Sequence, residues 1–302
     1  MLVRGVLIDD TFAEAFTMRV ARLIITGGTG RWARQAALNL TGFATSVIGC
    51  KCEAGIERTL SESETPDGRP GVSVLFFTMD KESLPQQLIT RIGQTVLTCA
   101  TTACFDGLPD VTDRLPVGKA LRAFADGFQV SKVVGGRRYW RLPVMEGEFL
   151  VEETFGMQKG VAGGNFLILA ENAEAALAAA EAAVAAIADH QGVILPFPGG
   201  VVRSGSKVGS KRYKKMIATT NDAFCPTLRG VTESQLPEGV NSVLEIVLDG
   251  TDAPSIAAAM RVGITAACRP GVKTITAGNY GGKLGPHHFY LRRIMNGESP
   301  AA

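Results

Sequence analysis

The chain has 302 residues, with 31 Lys and Arg against 29 Asp and Glu, a formal charge of +2 and a hydrophobic fraction of 46%. At about 100–200 residues per domain this length predicts two domains or lobes, each able to bury a core. The even charge argues against a dedicated nucleic-acid binder; no run approaches the ~18 apolar residues of a membrane span; and the start, Met1-Leu2-Val3-Arg4-Gly5 running into Asp9-Asp10, lacks the layout of a signal peptide, so a cytoplasmic protein is expected.

The first strand–helix–strand unit opens with the β-rich run Arg19–Thr26. A helix follows over Arg31–Leu40, with Trp32, Ala36, Ala37 and Leu40 near helical spacing and Gly42 as its stop. The run Ala44–Cys50 reads as the return strand. The second unit repeats the plan. Gly71–Thr78 is a strand, Asp80 caps a helix whose face is Leu84, Leu88, Ile92 and Thr95, and Val96–Phe105 supplies the return. Between Asp106 and Gly164 lies a connecting region whose Gly135-Gly136 pair signals a two-residue hairpin. It ends in Gly160-Val161-Ala162-Gly163-Gly164, a flexible stretch where one lobe hands over to the next.

In the third unit, Asn165–Ala170 is a strand, Asn172 caps an Ala-rich helix reaching Ala188, and Gly192–Leu195 returns. So many alanines predict a thin helix lying close to a sheet. The fourth unit has the strand Val243–Leu248, Pro254 at a helix start, a buried face of Ile256, Met260, Ile264 and Ala267, and the return Lys273–Ala277. Four such units predict an α+β fold of two ferredoxin-like (βαββαβ) lobes from an internal duplication, 1–150 and 151–302. A doubly wound parallel sheet is the alternative; it expects steadier alternation of strands and helices than these long glycine- and proline-rich loops allow.

Several stretches are candidates for chemistry. Thr26-Gly27-Gly28-Thr29-Gly30 follows a strand and opens a helix, but it lacks both the Gly-x-Gly-x-x-Gly spacing and a Gly-Lys-Ser/Thr ending, so a plain turn is the better reading. Glu245 stands alone in an apolar strand. A carboxylate taken out of water there has a raised pKa and can carry protons near neutrality; a salt-bridged or edge-strand Glu is the commoner explanation. From Arg203 to Lys215, six cations and three serines fall within thirteen residues. Ser204, Ser206, Lys207, Lys211 and Tyr213 there suit an anion held by backbone N–H groups and nearby charge; a solvated loop is the plainer alternative. The glycines around Asn279, Tyr280 and Lys283 suggest close backbone approach to a flat ligand. No Gly-x-Ser-x-Gly elbow is present, and Cys50 and Cys52 have no evident His partner, which argues against a covalent acyl-enzyme. The six cysteines read mostly as small core residues, and three His without a Cys-x-x-Cys give a metal little to bind.

Longer motifs carry a resemblance that covers nearly the whole chain. They are Asp10-Thr11-Phe12-Ala13-Glu14-Ala15-Phe16, Glu64-Thr65-Pro66-Asp67-Gly68-Arg69-Pro70-Gly71, Phe105-Asp106-Gly107-Leu108-Pro109 and Gly163-Gly164-Asn165-Phe166. Pro196-Phe197-Pro198-Gly199-Gly200, Ser204-Gly205-Ser206-Lys207-Val208-Gly209 and Asn279-Tyr280-Gly281-Gly282-Lys283-Leu284-Gly285 complete the set. Together they resemble formylmethanofuran:tetrahydromethanopterin formyltransferases. The resemblance implies two ferredoxin-like lobes and a tetramer built as a dimer of dimers. It implies reversible formyl transfer, by direct attack in a ternary complex, between methanofuran (methylofuran) and N5 of tetrahydromethanopterin. Both serve as co-substrates, without a metal or prosthetic group. It matches Glu245 to the family's proton shuttle, which reverses the preference above.

The near-neutral charge and the cysteines look like the version in methylotrophic bacteria, a subunit of a formyltransferase/hydrolase complex in formaldehyde oxidation. A non-catalytic, pterin-binding scaffold subunit of such a complex is the alternative. On this footing backbone N–H groups of the glycine loops are candidates for the oxyanion, and Lys207, Lys211 and Lys283 for the acidic tails of the cofactors. No function is expected of the histidines in Pro286-His287-His288-Phe289-Tyr290.

Overall fold

The computed structural model describes residues 1–188 and 190–298. The chain forms two compact units: one is Met18–Gly160, and the other joins Met1–Thr17 to the chain from Val161 onward.

In the first of these, four strands make an antiparallel sheet: β1 (Phe12–Thr26, of which residues from Met18 belong here), β2 (Glu53–Leu60), β3 (Gly71–Thr78) and β4 (Ala103–Asp106). Their order is β2-β3-β1-β4, so the first and third strands are central. Helix α1 (Gly30–Thr41) buries Ala33, Ala36, Ala37 and Leu40, spaced three and four apart, against Leu23, Ile25, Val74 and Phe76. Helix α2 (Ser83–Arg91) adds Leu84 and Leu88 to the same core. A meander of β5 (Val130–Val134), β6 (Arg137–Val144) and β7 (Gly147–Glu152) extends the sheet, β7 lying parallel to β4. Gly135 and Gly136 turn the β5–β6 hairpin with φ of 57° and 79°, the two left-handed residues a tight turn needs.

Two strands differ from expectation. Ala44–Cys50 is not a return strand: Ser46 caps a short helical turn, Val47–Cys50, by accepting the Ile48 N–H at 3.3 Å. The strand is Glu53–Leu60, where the charged Glu57 is buried and held bidentately by Arg22 at 2.8 Å, with Ser73 donating at 2.6 Å. Of Val96–Phe105, only the end from Ala103 is strand, because α2 runs on into a wide helical turn over Ile92–Val96.

In the other unit, β8 (Gln158–Ala170), α3 (Ala173–Ile187), β9 (Val193–Ile194), β10 (Ser242–Gly250), α4 (Ala253–Ala267) and β11 (Val272–Thr276) follow one another. The strands lie antiparallel in the order β11-β8-β10-β9, again with the first and third central. The doubly wound alternative requires parallel neighbours in these four-stranded cores, and both cores are antiparallel. Asn172 and Asp252 cap the two helices by accepting N–H groups of Ala175 and Ser255, each at 2.8 Å. Ala176, Ala179, Ala180 and Ala183 form the buried face of α3, thin enough to lie close to its neighbours. Phe166, Ile168, Ile246, Ile256, Met260 and Ile264 fill the core between helices and sheet.

The opposite sheet face carries a small second cluster of Leu167, Leu169 and Val240, with Phe224, Leu236 and Val243 against it. At the edges, the short strand Val6–Ile8 pairs parallel with β11, and β12 (His287–Tyr290) pairs with the first residues of β1. The stretch Gly160–Gly164, expected to be a flexible handover, lies within β8, where Gly163 at φ 92° marks a bulge.

Candidate functional site

Register decides where Glu245 points. Neighbouring residues of a strand alternate faces, and paired residues share one. Phe166 and Ile246, which are paired, belong to the helix-side core, so Leu167 and its partner Glu245 lie on the other face, with the small cluster. Val202 continues the row on the far side: its N–H donates to Glu245 O at 2.8 Å, and Glu245 N–H donates to Val202 O at 3.0 Å. Thr276 closes the row beyond Leu167. The Arg203–Lys215 loop and the Ala277–Gly285 loop therefore leave the sheet from the two ends of the row that contains Glu245, about 14 Å apart at the usual strand spacing.

The Glu245 carboxyl has no hydrogen bond or ion pair among the described residues. Its residue keeps some contact with water, yet protein packs densely around the carboxyl, and burial pushes it up to about 7. The edge-strand or salt-bridge explanation of this residue does not hold: β10 is a central strand, and among the described residues no cation pairs with it.

In the Arg203–Lys215 loop, Ser204 and Ser206 are exposed. Lys207 and Lys211 converge on Asp222, the second at 2.9 Å, and these two bonds, Lys207's the larger, hold Asp222 down at about 2. Asp222 in turn pushes the Lys211 ammonium up. Both lysines thus already have a carboxylate partner. Tyr213 is exposed, with the Arg212 guanidinium 5.9 Å from its ring. Nothing links Tyr213 or the exposed Lys283 to Glu245 by a hydrogen bond or ion pair among the described residues.

The glycine loop after β11 is organised by a residue that sequence reasoning did not single out. Glu14, on β1, is 2% exposed. Its Oε2 accepts the N–H groups of Tyr280 at 2.7 Å and Gly282 at 2.9 Å; its Oε1 accepts those of Leu284 at 2.5 Å and Gly285 at 2.7 Å. Burial works to raise its pKa, but the four bonds, led by Gly285 and Tyr280, together outweigh it, and the carboxyl lies below the usual range. Close backbone approach is real here, but its object is Glu14. Those four N–H groups are engaged by the protein's own carboxylate.

Asn279 donates to Phe12 O at 3.1 Å and Thr11 Oγ at 3.2 Å, which ties the start of the loop to β1. Tyr280 is kept protonated by burial and by the negative charges of Glu245 and Glu14. Among the expected binding residues it is the one on which the Glu245 charge is seen to act within the described residues. The signal for Glu14 was present in the sequence: like Glu245, it is a lone carboxylate among apolar strand residues.

The glycine loop Thr26–Gly30 behaves as a turn. Gly27 N–H donates to Pro70 O at 3.1 Å and Gly28 N–H to Thr101 Oγ at 2.9 Å.

The family model described as "Formylmethanofuran-tetrahydromethanopterin formyltransferase" matches residues 1–144, and that described as "FTR, proximal lobe" matches residues 147–294. Curated relatives bearing the name formylmethanofuran–tetrahydromethanopterin formyltransferase include those of Methylobacillus flagellatus, 62% identical over 98% of this chain and 100% of its own. Another is from Methanocaldococcus jannaschii, 54% identical over the same shares. Among solved structures, the Methanosarcina barkeri formyltransferase superimposes with a TM-score of 0.94 at 53% identity, over 97% of this chain and 100% of its own. The formyltransferase/hydrolase complex (FhcABCD) of Methylorubrum extorquens, in complex with methylofuran, contains a chain with a TM-score of 0.94 at 48% identity, over 98% of each.

Proposed function

The chain belongs to the formylmethanofuran–tetrahydromethanopterin formyltransferase family. On that premise, we propose that it is an acyltransferase of one-carbon metabolism. It moves a formyl group between the amine of methanofuran or methylofuran and N5 of tetrahydromethanopterin, by direct attack within a ternary complex. Both cofactors enter as co-substrates, and the reading assigns no metal or prosthetic group.

The observation that carries this at the site is the unpaired Glu245 carboxyl, raised to about 7 on a sheet face between two loops. When an amine attacks the formamide carbonyl, the attacking nitrogen sheds a proton, the carbonyl oxygen takes on negative charge, and the departing nitrogen must regain a proton. A carboxyl whose pKa lies near the working pH exists in both forms, so it can take the first proton and return it to the leaving nitrogen. The Tyr280 hydroxyl, held protonated, is a hydrogen-bond donor to the developing oxyanion. Holding both cofactors in line supplies much of the remaining rate. Ser204, Ser206, Lys207, Lys211, Tyr213, Asn279 and Lys283 are assigned to binding, with the loop cations drawing the acidic tails of the cofactors.

Each unit's βαββαβ order and strand order support two ferredoxin-like lobes from an internal duplication. The halves 1–150 and 151–302 are proposed as the duplicated segments, and the division of the family models between residues 144 and 147 supports them. The Methylorubrum complex supports hydrolase subunits as partners; a dimer of dimers in the cytoplasm belongs to the same reading. The test is exchange of 13C-labelled formyl between the two cofactors by the purified protein. Transfer is the expected result; assembly with hydrolase subunits and no transfer by the assembly gives the scaffold reading instead.

A further inference from the structure

We propose that Glu14 is a positioning residue for formyl transfer: its buried carboxylate holds the Tyr280–Gly285 loop in one shape, so that the Tyr280 hydroxyl stands where Glu245 works. The inference rests on the reading of Glu245 as the proton carrier.

The geometry is that of an anion nest closed on the protein's own side chain. Gly281 and Gly282 take φ of 70° and 73°, which turns successive N–H groups inward. Both Glu14 oxygens are each engaged by two of them. The loop lies flat on β1: a Cβ on Gly285 would come within 2.3 Å of Ala15 O. Its beginning is fixed separately, because Gly278 N–H donates to Asn165 Oδ1 at 2.7 Å.

The groups facing Glu14 are Tyr280 on this loop and His288 on β12, its partner in register. His288 itself is turned to Gly285 O at 3.1 Å and packs on the Phe12 ring at 4.8 Å. No cation pairs with Glu14 among the described residues, so its charge is met by backbone dipoles alone. The residual field falls on Tyr280, which also feels Glu245.

The test is a double-variant cycle on the full chain. Glu14→Gln keeps the size of the side chain but turns one acceptor into a donor facing two N–H groups. It is expected to lower kcat about 10²-fold, the scale of an ångström-level misplacement, with KM moving less than about threefold. Tyr280→Phe is expected to give a similar loss, and the double variant no further loss, because the first acts through the second. In parallel, 13C-tyrosine NMR is expected to show the Tyr280 titration midpoint falling in Glu14→Gln. Wild-type kcat in Glu14→Gln, multiplicative losses in the cycle, or an unmoved Tyr280 midpoint each overturns the proposal.

Should Glu14→Gln fail to fold, Gly282→Ala takes its place. It strains the same loop at a left-handed position, and it must show the same non-additivity with Tyr280→Phe. If the wild-type protein transfers no formyl group, the reading of the site fails and the kinetic arms with it. The NMR arm still decides whether Glu14 sets the state of Tyr280.

Discussion

Glu14 and Glu245 are the same side chain placed in similar apolar strands, and they end in opposite states. Four backbone N–H groups close around Glu14 and hold it ionised under a thin cover of loop. Among the described residues Glu245 receives none, and burial lifts its carboxyl to about 7. The difference shows that burial alone does not set a carboxylate's task; the supply of donors does. A satisfied carboxylate organises backbone, and an unsatisfied one near neutrality is free to move protons.

The largest expected effect breaks the comparison at its reactive member. Glu245→Gln removes the proton carrier while keeping the shape, and the formyl-transfer kcat is expected to fall about 10²–10⁴-fold. Thermal unfolding separates the pair the other way. Glu14→Gln leaves buried N–H groups without an acceptor and is expected to cost about 2–3 kcal/mol, read as a lowered Tm. Glu245→Gln at pH 8 is expected to cost nothing or to stabilise, since it removes a poorly solvated charge.

The two carboxylates also predict opposite pH slopes. Glu245 is raised in the folded state from an ordinary value of 4.5 to about 7. The folded protein therefore binds the extra proton between those values, and stability falls as pH rises from about 4.5 to 7. After allowance for its remaining contact with water, the loss is about 2 kcal/mol. Glu14 is lowered, so its contribution is complete above 4.5 and is lost as pH falls below that value through its folded pKa. Denaturant titrations of wild type, Glu14→Gln and Glu245→Gln across pH 3–8 check both: each variant should flatten its own limb and leave the other.

The smallest effect concerns the exposed loop. Asp222→Asn frees Lys207 and Lys211, and KM for the acid-tailed furan cofactor is expected to fall about threefold at low salt, with the gain vanishing at high salt.

What could be read from the sequence followed local rules. Asn172, Pro254 and the Gly135-Gly136 pair mark their caps and turn because each acts within a few residues of itself. Glu245 was visible as a lone charge in a strand. The strand Glu53–Leu60 was hidden because its charges break the apolar pattern, and what makes Glu57 tolerable inside it, Arg22, lies 35 residues away. The role of Glu14 was hidden for the same reason on a larger scale, its donors lying 266 to 271 residues along the chain. Asp222 was likewise missed as the partner that occupies Lys207 and Lys211, residues read from the sequence as free cations. Lone charges announce themselves, and the distant groups that satisfy them do not.

The central claim, that Glu245 exchanges a proton near neutral pH while Glu14 does not, is tested most directly by side-chain 13C NMR of glutamate-labelled protein. Signals are assigned by their disappearance in Glu245→Gln and Glu14→Gln. A Glu245 midpoint near 7, with Glu14 still ionised below 4.5, is the predicted result. A Glu245 midpoint at the ordinary 4.5 would contradict it.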